Sequence, residues 1–412
     1  MSAARPLPYS RHAIDEADIA AVAEVLRGDW LTTGPLVRDF ETALARQCGA
    51  AQAISCANGT AALHLASLAL GLGADHTVIV PTLTFAATAN APRLAGAEIC
   101  FADCDPESGL MGIAEFEAAL ARLKRAGKRA AAVFPVDLAG QCADLPAIAA
   151  RARAEGLAIV EDSCHALGSF YRRHDGAWQP IGSCADSDIT VFSFHPVKTI
   201  AAGEGGAALT NQPELARRIA MFRNHGVVRD PAQLIDKEAG FDSAQFNPWY
   251  YEMVVLGLNY RLSDINCALA NSQLGKLAQF VTTRQRLAAR YDALLSEFAP
   301  LVKPIARQAH CRAAWHLYSV LIDFAHSRLS RGQLIRALEE RGIRSQVHYI
   351  PVHRHPYYRE RYGASVLPGA EAYYRRTLSL PLFVGMGAED VDFVVATLAE
   401  LLGLRAARKQ AS

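Results

Sequence analysis

Short β-rich runs recur through the first half of the chain, each bounded by a turn and mostly separated from the next by a helical pattern. They are Ala53–Cys56, His76–Val80, Glu98–Ala102, Ala131–Val136, Leu157–Val160, Ile189–Phe194 and Ala207–Thr210, with helical stretches such as Ala114–Arg125 between them. Runs this apolar must be buried on both faces, so the alternation predicts a largely parallel sheet covered by helices on either side. Ahead of it, Ile14, Ile19, Val22 and Leu26 fall at helical spacing and stop at Gly28, which predicts a helix over 14–27. Beyond the helix-rich stretch 262–294 the pattern changes. A strand over 316–324, a helix over 330–340 capped by Ser330, a strand over 347–350 and a last helix over 390–402 describe a smaller α+β unit. The expected fold is α/β, with a large domain over 1–270 and a small C-terminal α+β domain over 271–412.

Composition excludes several partners. With 412 residues, 51% hydrophobic and 20% charged, the chain can bury a sizeable core. Its 42 Lys and Arg nearly balance 41 Asp and Glu without a polybasic run, which argues against nucleic acid and anionic membrane as partners. The opening MSAARPLPYSRH lacks the apolar core of a signal peptide. The apolar helix expected over Thr60–Leu72 is too short to span a bilayer. Nine scattered cysteines suit reduced, buried thiols in a cytoplasm, and no metal site is expected, Cys100 and Cys104 having no second half.

Three features bear chemistry. Asn58-Gly59-Thr60 turns from a strand into a helix, with Asn58 or Thr60 as its cap, and free N–H groups there suit an anion. Glu161-Asp162 ends the strand 157–160, where a buried carboxylate needs a charged or hydrogen-bonded partner. Asp188–Gly206 passes from a strand through Lys198 to a glycine cluster that permits a tight return. In that order they offer what pyridoxal 5'-phosphate requires: donors for its phosphate, an anion for its ring nitrogen and an amine for its aldehyde. Trp30, in the loop Asp29–Pro35, reads either as a hydrophobic plug or as a contact surface.

The ordered motifs NGTAALHLA, EDSCHALGS, SFHPVKTIAAGEGG, NYRLSD and QVHYIP resemble those of the DegT-type aminotransferases, fold-type I enzymes that use pyridoxal 5'-phosphate to aminate keto-sugar nucleotides. The resemblance covers essentially the whole chain. It implies Lys198 as the Schiff-base lysine and Asp162 as partner of the ring nitrogen. It implies Gly59, Thr60 and Ser193 at the phosphate, Phe85 stacked on the ring and His165 beside it. Asn259 would reach the phosphate of a neighbouring subunit, so a homodimer with shared sites is implied. Tyr9, Asp29, Trp30, Leu31, Thr32, Trp315, His316, Leu317, Tyr318 and His348 match positions around the sugar nucleotide, which turns Trp30 from plug to contact.

Within the family, the cues PYSRHAID, DWLTTGP, FPVDLAGQ, SFHPVKTI and WHLYSVL imply amino transfer from L-glutamate to C4 of a UDP-4-keto-6-deoxy-N-acetylhexosamine. The expected substrate is the β-L-arabino epimer used in pseudaminic acid biosynthesis. The alternatives are a bacillosamine- or perosamine-type 4-aminotransferase and a non-catalytic cofactor-binding regulator. A related sugar dehydratase would carry histidine where Lys198 stands, and a nicotinamide dehydrogenase would need a GxGxxG that is absent. The segment 227–253 is longer than in many members and reads equally as a substrate lid or a packed surface loop.

Overall fold

The computed structural model describes residues 6–404; residues 1–5, part of the segment read for a targeting signal, and 405–412 lie outside the described residues. The central sheet is built from β1 (Gln52–Cys56), β2 (Thr77–Pro81), β3 (Glu98–Ala102), β4 (Ala132–Val133), β5 (Ala158–Asp162), β6 (Ile189–Ser193) and β7 (Gly206–Thr210). Their order is β1-β7-β6-β5-β4-β2-β3, all neighbours parallel except β7, which runs antiparallel to both β1 and β6. Alternate residues feed a core on each face: Ile159, Phe192 and Ala207 join Phe40 and Phe116 on one side, while Val160, Val191 and Ala208 join Leu63 and Leu65 on the other. The strand expected over 131–136 is shorter, because Pro135 has no N–H to continue the ladder. Pairing resumes only as a single bridge from Val136 to Asp162.

A third core lies on a three-stranded antiparallel sheet of Val302–Pro304, Tyr318–Ile322 and Thr377–Leu380, with the helices Arg331–Glu340 and Ala388–Leu402 against it. Ser330 caps the first of these in a reciprocal box with Gln333. The long helix Leu277–Leu295 joins one face of the central sheet to this third core, with Leu277 and Phe280 in the former and Leu287, Tyr291 and Leu295 in the latter.

Two expectations are corrected. The helix expected over 14–27 begins at Glu16, because Asp15 caps it. Its apolar stripe does not face the core either: Ile14, Ile19 and Leu26 are exposed, while Asp18 is fully buried. Ser272 Oγ and Gln273 Nε2 each donate to Asp18 at 2.6 Å, and the Lys276 amine stands 2.9 Å from it, so this helix docks through a polar lock. The strand expected over 347–350 is not formed. Gln346 makes one bridge to Ser379, then His348 turns in to Ser379 and Pro351 follows without an N–H.

Candidate active site

The carboxyl ends of β5 and β6 and the amino end of the helix Gly59–Ala69 open on one cavity of about 480 Å³. Strand alternation decides what faces it. Asp162 shares its side of the sheet with Val160, and Ser193 shares it with Val191, so both point toward the helix and both line the cavity. Asp162 is buried and held at both oxygens: Thr88 Oγ1 donates to Oδ2 at 2.6 Å and the Cys164 N–H to Oδ1 at 3.2 Å. Thr84, in the bend that leads into the helix of Thr88, shares a 2.7 Å hydroxyl contact with Thr88.

Asn58, and not Thr60, caps the helix, its Oδ1 accepting the Ala61 N–H at 2.8 Å. The N–H groups of Gly59 and Thr60 find no partner among the described residues. They lie at the positive end of the helix dipole with Ser193 beside them. Any side chain at 59 would close this cradle, since a Cβ there would stand 2.8 Å from Ser193 Cβ and 3.1 Å from Cys164 Sγ. A glycine at that point is what an anion needs to approach the backbone.

Lys198 rides the connection from β6 to β7. That loop is pinned by the Phe194 N–H to Gly205 O and the Ala202 N–H to Phe194 O, both 2.8 Å, and by Ser10 Oγ to Val197 O at 3.0 Å. Gly203, at φ +80°, makes the return. Among the described residues no carboxylate forms a salt bridge with the Lys198 amine. Its pKa is drawn below the ordinary lysine value by burial, opposed by Cys164 and Asp162. Lys198, Asp162 and the helix terminus therefore meet in one cavity, and the residues fit pyridoxal 5'-phosphate: an anion cradle, a fixed carboxylate and a desolvated amine.

Around them stand Phe85, whose ring is 61% exposed at the cavity wall, and a set of neutral imidazoles. His165 accepts the Ala139 N–H at Nδ1 (3.3 Å) and meets Tyr349 Oη at Nε2 (3.1 Å). His316 lies behind it, ring centres 4.4 Å apart. Burial holds the pKa of both well below the usual histidine range, helped by each ring's charged neighbours. His348 bonds Ser379 Oγ through Nδ1 at 2.8 Å, sits 5.4 Å from the ring of Tyr9 and is pushed down to about 3, chiefly by burial. On the opposite face of the sheet, Glu161 and Asp137 form a buried acid pair. Burial raises both, Asp137 to about 7, while Ser163 Oγ donates to Asp137 at 2.7 Å and Thr190 Oγ1 to Glu161 at 2.7 Å.

Of the residues singled out in the sequence, Tyr9, Gly59, Thr60, Phe85, Asp162, His165, Ser193, Lys198 and His348 line this cavity. Others lie apart from it. Leu317 and Tyr318 are buried in packing, and Tyr318 donates to Asp292 at 2.6 Å. Trp315 lies under the Arg307 guanidinium, 4.0 Å from its ring centre. Asp29, Trp30, Leu31 and Thr32 are exposed and tied to the Asn259 segment, through Thr32 paired with Ser263 and the Asp264 N–H donating to Leu31 O at 3.1 Å. The segment 227–253 forms two small β-pairs and does not line the cavity of its own chain. Sequence reasoning missed Thr84, Cys164, Glu204 and Tyr349 on the wall, and Thr88 behind Asp162. Thr84 and Thr88 were visible as hydroxyls four residues apart in the stretch after β2, and Tyr349 as the neighbour of His348.

This fold and cavity define a fold-type I, pyridoxal-phosphate-dependent aminotransferase. The model of the DegT/DnrJ/EryC1/StrS aminotransferase family matches residues 12–399, and the chain belongs to that family. It is similar to Helicobacter pylori PseC, an aminotransferase involved in the biosynthesis of pseudaminic acid (27% identity, 97% of this chain and 100% of that one, TM-score 0.84). It is similar to S. venezuelae DesV (30% identity, 96% and 98%, TM-score 0.80). Spr1654 of Streptococcus pneumoniae, solved in PLP and PMP forms, resembles it with TM-scores of 0.83 and 0.84 at 26% and 27% identity. The PLP-form match covers 97% of this chain and 99% of that one, the PMP-form match 96% and 99%. No helix among the described residues is long and apolar enough to cross a membrane.

Proposed function

We propose that the enzyme moves an amino group from L-glutamate to the C4 ketone of UDP-2-acetamido-2,6-dideoxy-β-L-arabino-hex-4-ulose, giving the UDP-4-amino sugar of pseudaminic acid biosynthesis. The observation that carries the reading is the meeting of the Lys198 amine, the Asp162 carboxylate and the open helix terminus at Gly59 in one cavity. The full-length likeness to PseC supports the choice of sugar. Another nucleotide keto-sugar is the alternative.

When bound, the cofactor supplies an electron sink for the negative charge left on an amino-bearing carbon that loses its proton. Lys198 is the group that takes and returns that proton. Burial lowers its pKa, so the amine spends more time neutral than a solvated lysine does. Asp162, clamped by Thr88 and the Cys164 N–H, would hold the ring nitrogen protonated, and Gly59, Thr60 and Ser193 would hold the phosphate. Phe85 would stack on the ring, with His165 and His348, both held neutral by burial, beside it. Tyr9 and His348 then face the sugar.

Asn259 and Asp29–Thr32 complete the cavity of a second copy in this reading. Their exposure supports that: Trp30 is 58% exposed, and Leu256, three residues before Asn259, is 85% exposed. The test is incubation with pyridoxal 5'-phosphate, L-glutamate and each UDP-4-keto epimer, with products identified by mass and NMR. Amination of the L-arabino epimer alone is expected. Exclusive use of the other epimer favours a bacillosamine-type enzyme, and a Lys198→Ala variant that transaminates at the wild-type rate overturns the proposal.

A further inference from the structure

Tyr349 has no role so far beyond its place on the cavity wall, yet its hydrogen bond carries a direction. The Ala139 N–H reaches His165 Nδ1 at 3.3 Å, and a peptide N–H can only donate, so Nδ1 is an acceptor. Ala139 is held in the left-handed region, at φ +61°. This geometry lets it offer its N–H to His165 while its carbonyl accepts the His316 N–H at 3.0 Å and the Leu317 N–H at 3.3 Å. A neutral imidazole with Nδ1 accepting carries its hydrogen on Nε2. Burial keeps this ring neutral, and a charge on Lys198 acts in the same sense. Nε2–H therefore donates to the Tyr349 oxygen 3.1 Å away. The opposite arrangement, with Tyr349 donating, would force an Nδ1 hydrogen against the Ala139 N–H.

The phenol oxygen is thus an acceptor on its protein side, and its single hydrogen has no other acceptor among the described residues. The ring is fixed by His348, 4.8 Å away and perpendicular, and by Phe85 at 6.0 Å. Only the cavity remains to receive the hydrogen. Resting on the aminotransferase reading above, we infer that Tyr349, aimed by the Ala139–His165 chain, is a hydrogen-bond donor to a ligand oxygen. Two oxygens share this chemistry, the ring oxygen of the cofactor and the ketone oxygen of the sugar.

The first test needs no ligand. Nitrogen-resolved NMR of the cofactor-free protein is expected to show His165 with its hydrogen on Nε2, and a hydrogen on Nδ1 overturns the inference. The second compares wild type with Tyr349→Phe, which keeps the ring and loses the hydroxyl. If the cofactor oxygen is the acceptor, the pH midpoint of the bound cofactor's visible absorbance rises in the variant before any sugar is added. If the sugar oxygen is the acceptor, that midpoint holds, KM for the keto-sugar rises about 2- to 10-fold, and the half-reaction with L-glutamate is unchanged. Absorbance and sugar KM both unchanged in Tyr349→Phe would refute the donor role. So would equal losses in both half-reactions accompanied by a lower melting temperature, because that pattern is structural. A wild-type protein that binds the cofactor but aminates no keto-sugar removes the reading above while leaving the NMR and absorbance tests intact.

Discussion

Gly206 opens β7 and lies directly against the turn that forms the anion cradle, so Gly206→Ala tests how the cradle is built. Gly206 pairs with Cys56 of β1 and with Ser193 of β6. A Cβ there would overlap the carbonyl of Asn58 and stand 2.7 Å from the Gly59 nitrogen. Non-bonded heavy atoms rest near 3.5–4.0 Å, so about 1 Å must open against backbone, which has no rotamer to yield. The strand cannot retreat without breaking two ladders, so the Asn58–Gly59 turn has to move. Overpacking a well-filled site costs about 1–3 kcal/mol, and a backbone clash belongs at the upper end. At about 1.4 kcal/mol per factor of ten, cofactor affinity should weaken by about 10- to 100-fold. The assay is titration of the apo-protein with pyridoxal 5'-phosphate, followed by visible absorbance, with a melting curve alongside. Gly205→Ala is the control: its Cβ would meet the Ala202 and Phe194 side chains at 3.2 Å, which can give. Wild-type affinity in Gly206→Ala, or a larger loss in Gly205→Ala, would refute the packing argument.

The acid pair behind Asp162 should make stability fall with pH. Asp137, raised to about 7, and Glu161, also raised, bind protons more tightly when folded, so their contribution is full below about pH 4 and is lost as pH rises through 7. Melting temperatures of Glu161→Gln relative to wild type should therefore rise between pH 5 and 8, and a constant difference would rule this out. Thr88→Val removes the 2.6 Å donor to Asp162 and keeps the shape. A hydrogen bond to a charged group contributes about 1.5–3 kcal/mol, so cofactor affinity measured by absorbance should drop about tenfold or more with little change in melting.

What could be read from the sequence followed from periodicity and from residues with one dominant use. The seven strands, a cap at Asn58 or Thr60, the carboxylate ending β5 and the lysine before a glycine return are all local signals, and the structure brings the last three to one cavity. What stayed hidden depends on distant partners. Asp18 looks like an exposed helix acid until Ser272 and Gln273 arrive from more than 250 residues away, and the helix then turns its apolar stripe outward. Tyr349 was missed because its direction comes from Ala139 and His165, which lie far from it in sequence. His316, Leu317 and Tyr318 share a motif with Trp315, but a motif does not say which of its residues turn inward, and all three are buried away from the cavity wall.

One strand explains why the reactive groups converge. In an all-parallel sheet every connection must cross from one edge to the other, so the segment after β6 would have left the carboxyl edge at once. Because β7 runs antiparallel to β6, the connection begins and ends at the same edge, and Lys198 remains suspended over the carboxyl ends of β5 and β6. The same reversal brings the first residue of β7 against the Asn58–Gly59 turn, since β7 also pairs antiparallel with β1. Amine, carboxylate and anion cradle are thus set by one choice of strand direction. The glycines at 203 and 206 are its two geometric requirements, one for the left-handed return and one for the close approach.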